Sequence, residues 1–261
     1  MESVAAVQIP PSQARQDTQF AGPISQGRRD PLDRLIVALD FPSSQAALAF
    51  VDRLEGTCRW FKVGMELYYA AGNSIVERLR ERGFEVFLDL KLHDIPNTVA
   101  GAVRSVAGVG ASLLTIHAGG GEHMMRAAVH AASGPNAPRL LAVTILTSMN
   151  AAELSGVGVV DTPAAQVLRL AQLARTAGID GLVCSAQEVA ALGQVMGPDA
   201  LLVVPGIRPI GSDVGDQSRV ATPAEAIACG ASMLVVGRPI TQAGDPARAA
   251  AAILAEIGDA N

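Results

Sequence analysis

Cysteine, aromatic side chains and runs of one charge are all scarce in this 261-residue chain. The three cysteines, Cys58, Cys184 and Cys229, are far apart, and no Cys-x-x-Cys or mixed Cys/His spacing occurs. This argues against a disulfide framework or a zinc site and predicts reduced thiols in a cytoplasmic protein. The net charge is −5 and there is no block of lysine or arginine, so we expect no nucleic acid partner.

Long apolar runs are lacking too. No stretch reaches the roughly 18 residues of a membrane span, and the N-terminus has no basic segment followed by an apolar one, so we expect neither membrane association nor a signal peptide. Residues 1–31 are rich in Gln, Ser, Pro and Arg without periodicity, which predicts a flexible tail. Residues 32–261 are then the folded part, and a chain that is 49% hydrophobic can bury a large core there as one domain.

Short β-rich runs alternate with amphipathic Ala/Leu-rich segments eight times from residue 32 onward. Ser43, Thr162 and Thr222 are predicted N-caps of helices, and Gly110 and Gly178 are placed to end them. Eight such units predict an α/β fold, a (β/α)8 TIM barrel in a single domain. An open doubly wound sheet is the alternative, but no Gly-x-Gly-x-x-Gly follows the first strand. The predicted strands cover residues 35–40, 60–65, 85–92, 113–118, 140–146, 182–185, 201–206 and 233–237.

Charged side chains recur where the predicted strands end, which is where the chemistry of such barrels takes place. In the third strand, alternation puts Asp89 and Lys91 on the face opposite the aliphatic residues. Lys62, in an otherwise apolar strand, needs a counter-ion, which Asp40 and Asp89 on the flanking strands can supply. With Asp94, just beyond the third strand, these residues form an alternating array of carboxylates and ammonium groups. A purely structural layer of salt bridges is the alternative.

The loops after the last two strands have the features of a phosphate site. Residues 206–219 are long, non-periodic and glycine-containing, which suits a mobile lid. The eighth strand ends in Gly237 and Arg238, which can offer backbone N–H groups and a bidentate cation to phosphate oxygens. A surface salt bridge of Arg238 is the alternative. The pattern predicts a sugar-phosphate or nucleotide ligand, and since no histidine pair has ligand spacing, we expect no metal.

Residues 89–98, Asp-Leu-Lys-Leu-His-Asp-Ile-Pro-Asn-Thr, resemble the active-site signature of the orotidine 5′-phosphate decarboxylase family. A bare Asp-x-Lys-x-x-Asp would be less specific, because related sugar-phosphate enzymes share it. Supporting motifs occur in the order and positions of the bacterial form of the family. They lie at residues 37–40, 61–64, 146–149, 205–208, 215–219 and 236–238.

This resemblance implies a carboxy-lyase that converts orotidine 5′-monophosphate to UMP and CO2 in de novo pyrimidine biosynthesis, without a cofactor or metal. It also implies a homodimer with shared active sites, in which Asp94, Ile95 and Thr98 reach the site of the partner subunit. The alternatives are a related Mg-dependent sugar-phosphate decarboxylase or hexulose-phosphate synthase, and a non-catalytic phosphate-binding barrel. The catalytic residues implied are Lys62, Asp89, Lys91 and Asp94, and the substrate-binding residues are Asp40, Lys62, Ile95, Thr98, Thr147, Arg208, Gln217, Gly237 and Arg238.

Overall fold

Eight parallel strands close into a barrel in which each strand pairs with the next and β8 pairs with β1. The predicted (β/α)8 architecture is confirmed. The computed structural model describes residues 30–210 and 220–260; residues 1–29 of the predicted tail and 211–219 of the predicted lid lie outside the described residues. The strands are β1 (Leu35–Ala38), β2 (Trp60–Gly64), β3 (Glu85–Leu92), β4 (Leu113–His117), β5 (Arg139–Val143), β6 (Gly181–Val183), β7 (Leu201–Val204) and β8 (Met233–Val236).

Helices follow the strands and cover the outside of the barrel. Short 3-10 turns precede β1 (Pro31–Asp33), follow β4 (Ala118–Gly120) and follow β6 (Ala186–Glu188). Within the described ranges, no helix has the length and apolar character needed to cross a membrane. The α-helices there are α1 (Ser44–Asp52), α2 (Met65–Ala71), α3 (Asn73–Glu81), α4 (Pro96–Val109), α5 (Gly121–Ala131), α6 (Ala151–Gly156), α7 (Pro163–Ala177), α8 (Val189–Met196), α9 (Pro223–Ala228), α10 (Arg238–Thr241) and α11 (Pro246–Asp259).

Three helices begin at the predicted N-caps. The side-chain oxygens of Ser43, Thr162 and Thr222 accept the backbone N–H three residues further on, at 3.2, 3.3 and 3.2 Å. Helices α4 and α7 end as predicted at Gly110 and Gly178, whose φ angles of +80° and +84° are left-handed and cost glycine no steric penalty. Local sequence signals therefore determine where these helices begin and end.

Strand alternation divides the apolar side chains into two cores. In β1, Leu35 and Val37 pack outward against the helices, whereas Ile36 and Ala38 point into the barrel. The barrel interior is filled by side chains, so a ligand can bind only at its mouth. This inner core consists of Ile36, Ala38, Trp60, Phe87, Leu113, Leu141, Leu201, Val203, Met233 and Val235.

Every strand except β3 ends one to three residues earlier than predicted. The predicted second strand included Met65, which instead begins α2, and the predicted fifth strand ran to residue 146, whereas β5 ends at Val143. At the barrel mouth the backbone stops pairing with the neighbouring strands, but its side chains still pack on the helices. Ile145, for example, belongs to the outer core although it follows β5. An apolar residue just beyond a strand end can thus be buried as deeply as a strand residue although its backbone makes no strand pairing.

The backbones of β6 and β7 approach each other closely at Gly181, the first residue of β6. A Cβ atom at this position would lie 2.1 Å from the carbonyl oxygen of Leu201 and 2.7 Å from the Leu201 Cβ. The contact is with backbone atoms of a paired strand, which cannot rotate away. Only glycine therefore fits at this point of the barrel wall.

We expect Gly181→Ala to lower the free energy of unfolding by about 3 kcal/mol, because the added methyl group forces β6 away from β7. Gly193→Ala in α8 is the matched control, since a Cβ there would lie in ordinary contact, 3.9 Å from Leu202 Cδ1. Alanine inside a helix stabilises by about 0.5–1 kcal/mol relative to glycine. Urea denaturation followed by circular dichroism measures both changes. Equal stability of the two variants would contradict the close approach at Gly181.

Candidate active site

Four charged side chains from β1, β2 and β3 meet at the mouth of the barrel. Lys62 Nζ lies 2.9 Å from Asp40 Oδ1 and 3.8 Å from Asp89 Oδ2, and Lys91 Nζ lies 2.8 Å from Asp89 Oδ1. Carboxylates and ammonium groups thus alternate in one chain of contacts, as the strand pattern predicts. We call Asp40, Lys62, Asp89 and Lys91 the charged array.

The charged array is shielded at its centre and open at its ends. The side chains of Lys62 and Asp89 are 12% and 14% exposed, whereas those of Lys91 and Asp40 are 27% and 61% exposed. Charge interactions are screened less at the shielded centre than at the surface. A ligand bound over the mouth would therefore interact more strongly with the charges of Lys62 and Asp89 than with a comparable pair on the surface.

The backbone of β3 departs from a regular strand where it positions Lys91. Leu88 pairs with Leu114 of β4, but Leu92 already pairs with Ile116, so three β3 residues lie opposite Thr115. Lys91 has a φ angle of +53°, in the left-handed region, which costs a non-glycine residue roughly 1–2 kcal/mol. The predicted alternation thus correctly places Lys91 on the same face as Asp89. The strand is not regular there, however, because its pairing with β4 is interrupted. Strain of this kind is retained where the surroundings enforce it.

Thr115 of β4 belongs to this site although no sequence motif described above includes it. Its fully buried hydroxyl accepts the backbone N–H of Lys91 at 2.8 Å and donates to Asp89 Oδ1 at 3.0 Å. The signal for Thr115 was its alternation with the aliphatic Leu114 and Ile116, which places it on the inward face.

Two histidines stack beside the charged array. The ring centroids of His93 and His117 are 5.4 Å apart. Burial, the proximity of His93 and the Lys91 ammonium lower the pKa of His117, and only Asp89 opposes them. The surroundings therefore disfavour the protonated form of the His117 ring. In residues 30–210 and 220–260, no three His, Cys, Asp or Glu side chains are grouped to hold a metal ion.

Two glycines leave room around the outer end of the charged array. A Cβ atom at Gly64 would lie 2.9 Å from Lys62 Nζ and 3.3 Å from Asp40 Oδ1, inside the space that this ion pair uses. A Cβ at Gly237, after β8, would lie 3.9 Å from Asp40 Oδ2. Because β8 pairs with β1, the predicted phosphate loop therefore borders the charged array directly.

The remaining predicted site residues differ in their position and in how exposed they are. Arg238 is exposed at the start of α10. Arg208 is buried after β7, where its guanidinium donates to the carbonyl oxygen of Ile207 at 2.8 Å. Thr147 is half-buried beyond the end of β5, and Gln217 lies outside the described residues.

Asp94, Ile95 and Thr98 are exposed where β3 leads into α4. Asp94 Oδ1 accepts the N–H of Ile95 at 2.6 Å, and the described part of the chain places no cation within ion-pair distance of this carboxylate. The chain therefore does not bring Asp94 into its own charged array.

A model of the Orotidine 5′-phosphate decarboxylase / HUMPS family matches residues 33–253. A Halorhodospira halophila protein named orotidine 5′-phosphate decarboxylase is 54% identical over 228 residues, covering 87% of this chain and 97% of that protein. An Anaeromyxobacter dehalogenans protein of the same name is 55% identical over 227 residues, 87% of this chain and 99% of that protein. The crystal structure of orotidine 5′-phosphate decarboxylase from Lactobacillus acidophilus has a TM-score of 0.77 and 40% identity, and the alignment covers 86% of this chain and 99% of that chain.

We expect Asp89→Asn to lower the free energy of unfolding at pH 7 by about 2 kcal/mol, because two partly buried ammonium groups lose the carboxylate between them. Asp52→Asn is the control: its carboxylate is 65% exposed and pairs with Arg82 on the surface, so its loss costs less than about 1 kcal/mol. Urea denaturation compares the two. An Asp89 variant as stable as the wild type would mean that Asp89 does not hold the lysines together.

Proposed function

The chain belongs to the orotidine 5′-phosphate decarboxylase / HUMPS family, and we propose that it is a decarboxylase of orotidine 5′-monophosphate. As a carboxy-lyase of de novo pyrimidine biosynthesis, it releases CO2 and leaves UMP. The observation that carries the proposal is the charged array, with Asp89 between two lysines at the barrel mouth.

The chemical problem in this reaction is the carbanion. When the carbon–carbon bond to the carboxylate breaks, its electron pair stays on the pyrimidine ring carbon as CO2 leaves. No cofactor takes up these electrons, so the protein itself stabilises the charge. The Lys91 ammonium stabilises the carbanion and then transfers a proton from Nζ to the ring carbon, forming the new carbon–hydrogen bond. Solvent restores the proton to Lys91.

Asp89 and the rest of the charged array set up this step. The 2.8 Å contact with Asp89 orients the Lys91 ammonium. The Asp89 carboxylate also lies beside the substrate carboxylate, and the repulsion between the two ends when CO2 departs. Lys62 contacts both Asp89 and Asp40 and offsets the repulsion between these two carboxylates. Asp40, the exposed end of the charged array, binds ribose hydroxyls.

The phosphate group binds at the loops after β7 and β8. Gln217 and Arg238 take the phosphate oxygens, assisted by Arg208 and Gly237, and Thr147 binds the pyrimidine edge. The position of Gly237 next to Asp40 supports this order, because the ribose links the phosphate to the base. Binding energy from the phosphate can then contribute to organising the charged array, raising turnover as well as affinity.

The active sites are shared in a homodimer, with Asp94, Ile95 and Thr98 completing the partner's site. Large apolar side chains are exposed after the neighbouring strands β2 and β3: Met65 and Tyr69 on α2 are 43% and 78% exposed, and Ile95 is 67% exposed. Exposed apolar residues that lie together support an interface, and a two-fold axis would place each Asp94 beside the other subunit.

The Mg-dependent alternative is less well supported by the charged array, because an ammonium group already pairs with each of its carboxylates where a divalent cation would bind. A non-catalytic barrel has no need for two strained or partly buried lysines. We place the enzyme in the cytoplasm, since its three cysteines are free thiols.

We expect the purified protein to deplete the ultraviolet absorbance of orotidine 5′-monophosphate in the presence of a chelator. Lys91→Ala should lower turnover by several orders of magnitude, because it removes the proton donor. Arg126→Ala, which removes an exposed cation of α5, should keep full turnover. Activity that disappears with the chelator would favour the Mg-dependent alternative, and a Lys91→Ala variant retaining about a tenth of the turnover would refute the role of Lys91.

Shared sites predict complementation between two inactive variants. Lys91→Ala and Asp94→Ala homodimers should both be inactive, but unfolding, mixing one to one and refolding makes half of the dimers heterodimers. Each heterodimer has one site with both lesions and one intact site, so about a quarter of wild-type activity per subunit should return. Wild-type protein refolded alongside is the control. A mixture that stays inactive while the wild type recovers would place Asp94 in the site of its own chain.

A further inference from the structure

Thr115 lies where the irregular part of β3 meets β4. Leu88 pairs with Leu114 and Leu92 pairs with Ile116, the register shifts between these two pairs, and Thr115 is the single β4 residue between them. It therefore faces residues 89–91, the stretch that carries both the Asp89 carboxylate and the left-handed Lys91. A buried hydroxyl at such a mismatch can replace backbone partners that the regular ladder would supply.

The direction of both hydrogen bonds of Thr115 is determined by chemistry. The Lys91 N–H can only donate, so the Thr115 oxygen accepts it at 2.8 Å. An ionised carboxylate can only accept, so the Thr115 hydroxyl hydrogen points to Asp89 Oδ1, 3.0 Å away. Thr115 is 0% exposed, so water does not compete for either bond. The same Asp89 oxygen contacts Lys91 Nζ, which closes a ring of contacts from the Lys91 backbone to its own ammonium group.

We propose that Thr115 is a positioning residue for proton delivery, a role that rests on the proposed decarboxylation. Its hydroxyl fixes the Lys91 backbone in the left-handed conformation and holds Asp89 at the distance that orients the Lys91 ammonium. Without the hydroxyl, the Lys91 N–H loses its acceptor, and only the ion pair with Asp89 and the Leu92–Ile116 pairing are left, among the contacts described here, to offset the cost of the positive φ. The backbone then relaxes and moves the ammonium away from the reacting carbon.

The chain offers a matched set of variants. Thr115→Val removes the hydroxyl and keeps the shape, whereas Thr115→Ser keeps the hydroxyl. Thr144→Val is the control, because Thr144 follows β5, is also buried, and has a hydroxyl that bonds to no other described group. Thr115→Ala is a second variant without the hydroxyl, and it replaces Thr115→Val in the comparison if the valine variant does not fold.

Steady-state kinetics with orotidine 5′-monophosphate give the first readout. Displacement of a reacting group by about 1 Å can cost roughly 100-fold, so we expect kcat of Thr115→Val to fall about 10- to 100-fold. KM should stay near the wild-type value, because the substitution does not alter the proposed phosphate-binding loops after β7 and β8. Thr115→Ser should restore kcat to within about 3-fold, and Thr144→Val should not change it.

Amide hydrogen exchange gives a second readout that needs no activity. The chain contains two lysines, Lys62 and Lys91, so selective ¹⁵N-lysine labelling yields two backbone amide signals. Exchange of the Lys91 amide should accelerate in Thr115→Val and stay protected in Thr115→Ser and Thr144→Val. The Lys62 amide, within β2, should not change in any variant and reports that the barrel is intact.

The outcomes separate the two proposals. If the wild type does not decarboxylate orotidine 5′-monophosphate, the proposed function fails, and the exchange data alone decide whether Thr115 holds Lys91. If the wild type is active but Thr115→Val keeps wild-type kcat, or Thr115→Ser loses as much as Thr115→Val, the hydroxyl does not position Lys91. Unchanged Lys91 exchange in Thr115→Val would overturn the proposal as well.

Discussion

The contact of one carboxylate with two ammonium groups is the constraint on which the rest of the site depends. Asp89 reaches Lys62 and Lys91 with its two oxygens while only 14% of its side chain is exposed. Two cations at this depth are tolerable only with such a counter-ion, and a counter-ion there is tolerable only with the cations. The packed inner core below, with Trp60 and Phe87, keeps all of these groups at the mouth, where a ligand can reach them.

Closure of the barrel brings the proposed phosphate loop next to the charged array. The charged array belongs to β1, β2 and β3, whereas the proposed phosphate loop follows β8 at the other end of the sequence. These regions become neighbours because β8 pairs with β1, with Leu234 and Val235 opposite Leu35 and Ile36. In an open sheet with β1 and β8 at opposite edges, Gly237 and Asp40 would lie far apart. Barrel topology, rather than any local motif, therefore makes one ligand site from the two regions.

The sequence predicted the features that depend on local chemistry. Caps such as Thr162 and Gly178 follow from hydrogen-bonding and steric preferences, and the inward face of Asp89 follows from strand alternation. Alternation could not reveal the mismatch at Lys91, because an irregular pairing depends on two strands and leaves no trace in the pattern of one. Alternation within β4 places Thr115 on the inward face, but its two hydrogen bonds to β3 appear only when β3 lies beside β4. Likewise, the end of β5 was misplaced because Ile145 is buried by helices and not by strand pairing. Gln217 and the partner role of Asp94 stay predictions.

The presence of only two lysines has a consequence for covalent chemistry. Every other basic side chain that is charged at all pH values of interest is an arginine, so Lys62 and Lys91 carry all of the side-chain amines of the chain. Reagents that acylate or carbamylate amines therefore have no lysine side chain to react with outside the charged array. Each such adduct removes a positive charge from the charged array itself. Amine-directed electrophiles therefore remove lysine charge only from the charged array, and at most two lysine adducts can form on each chain.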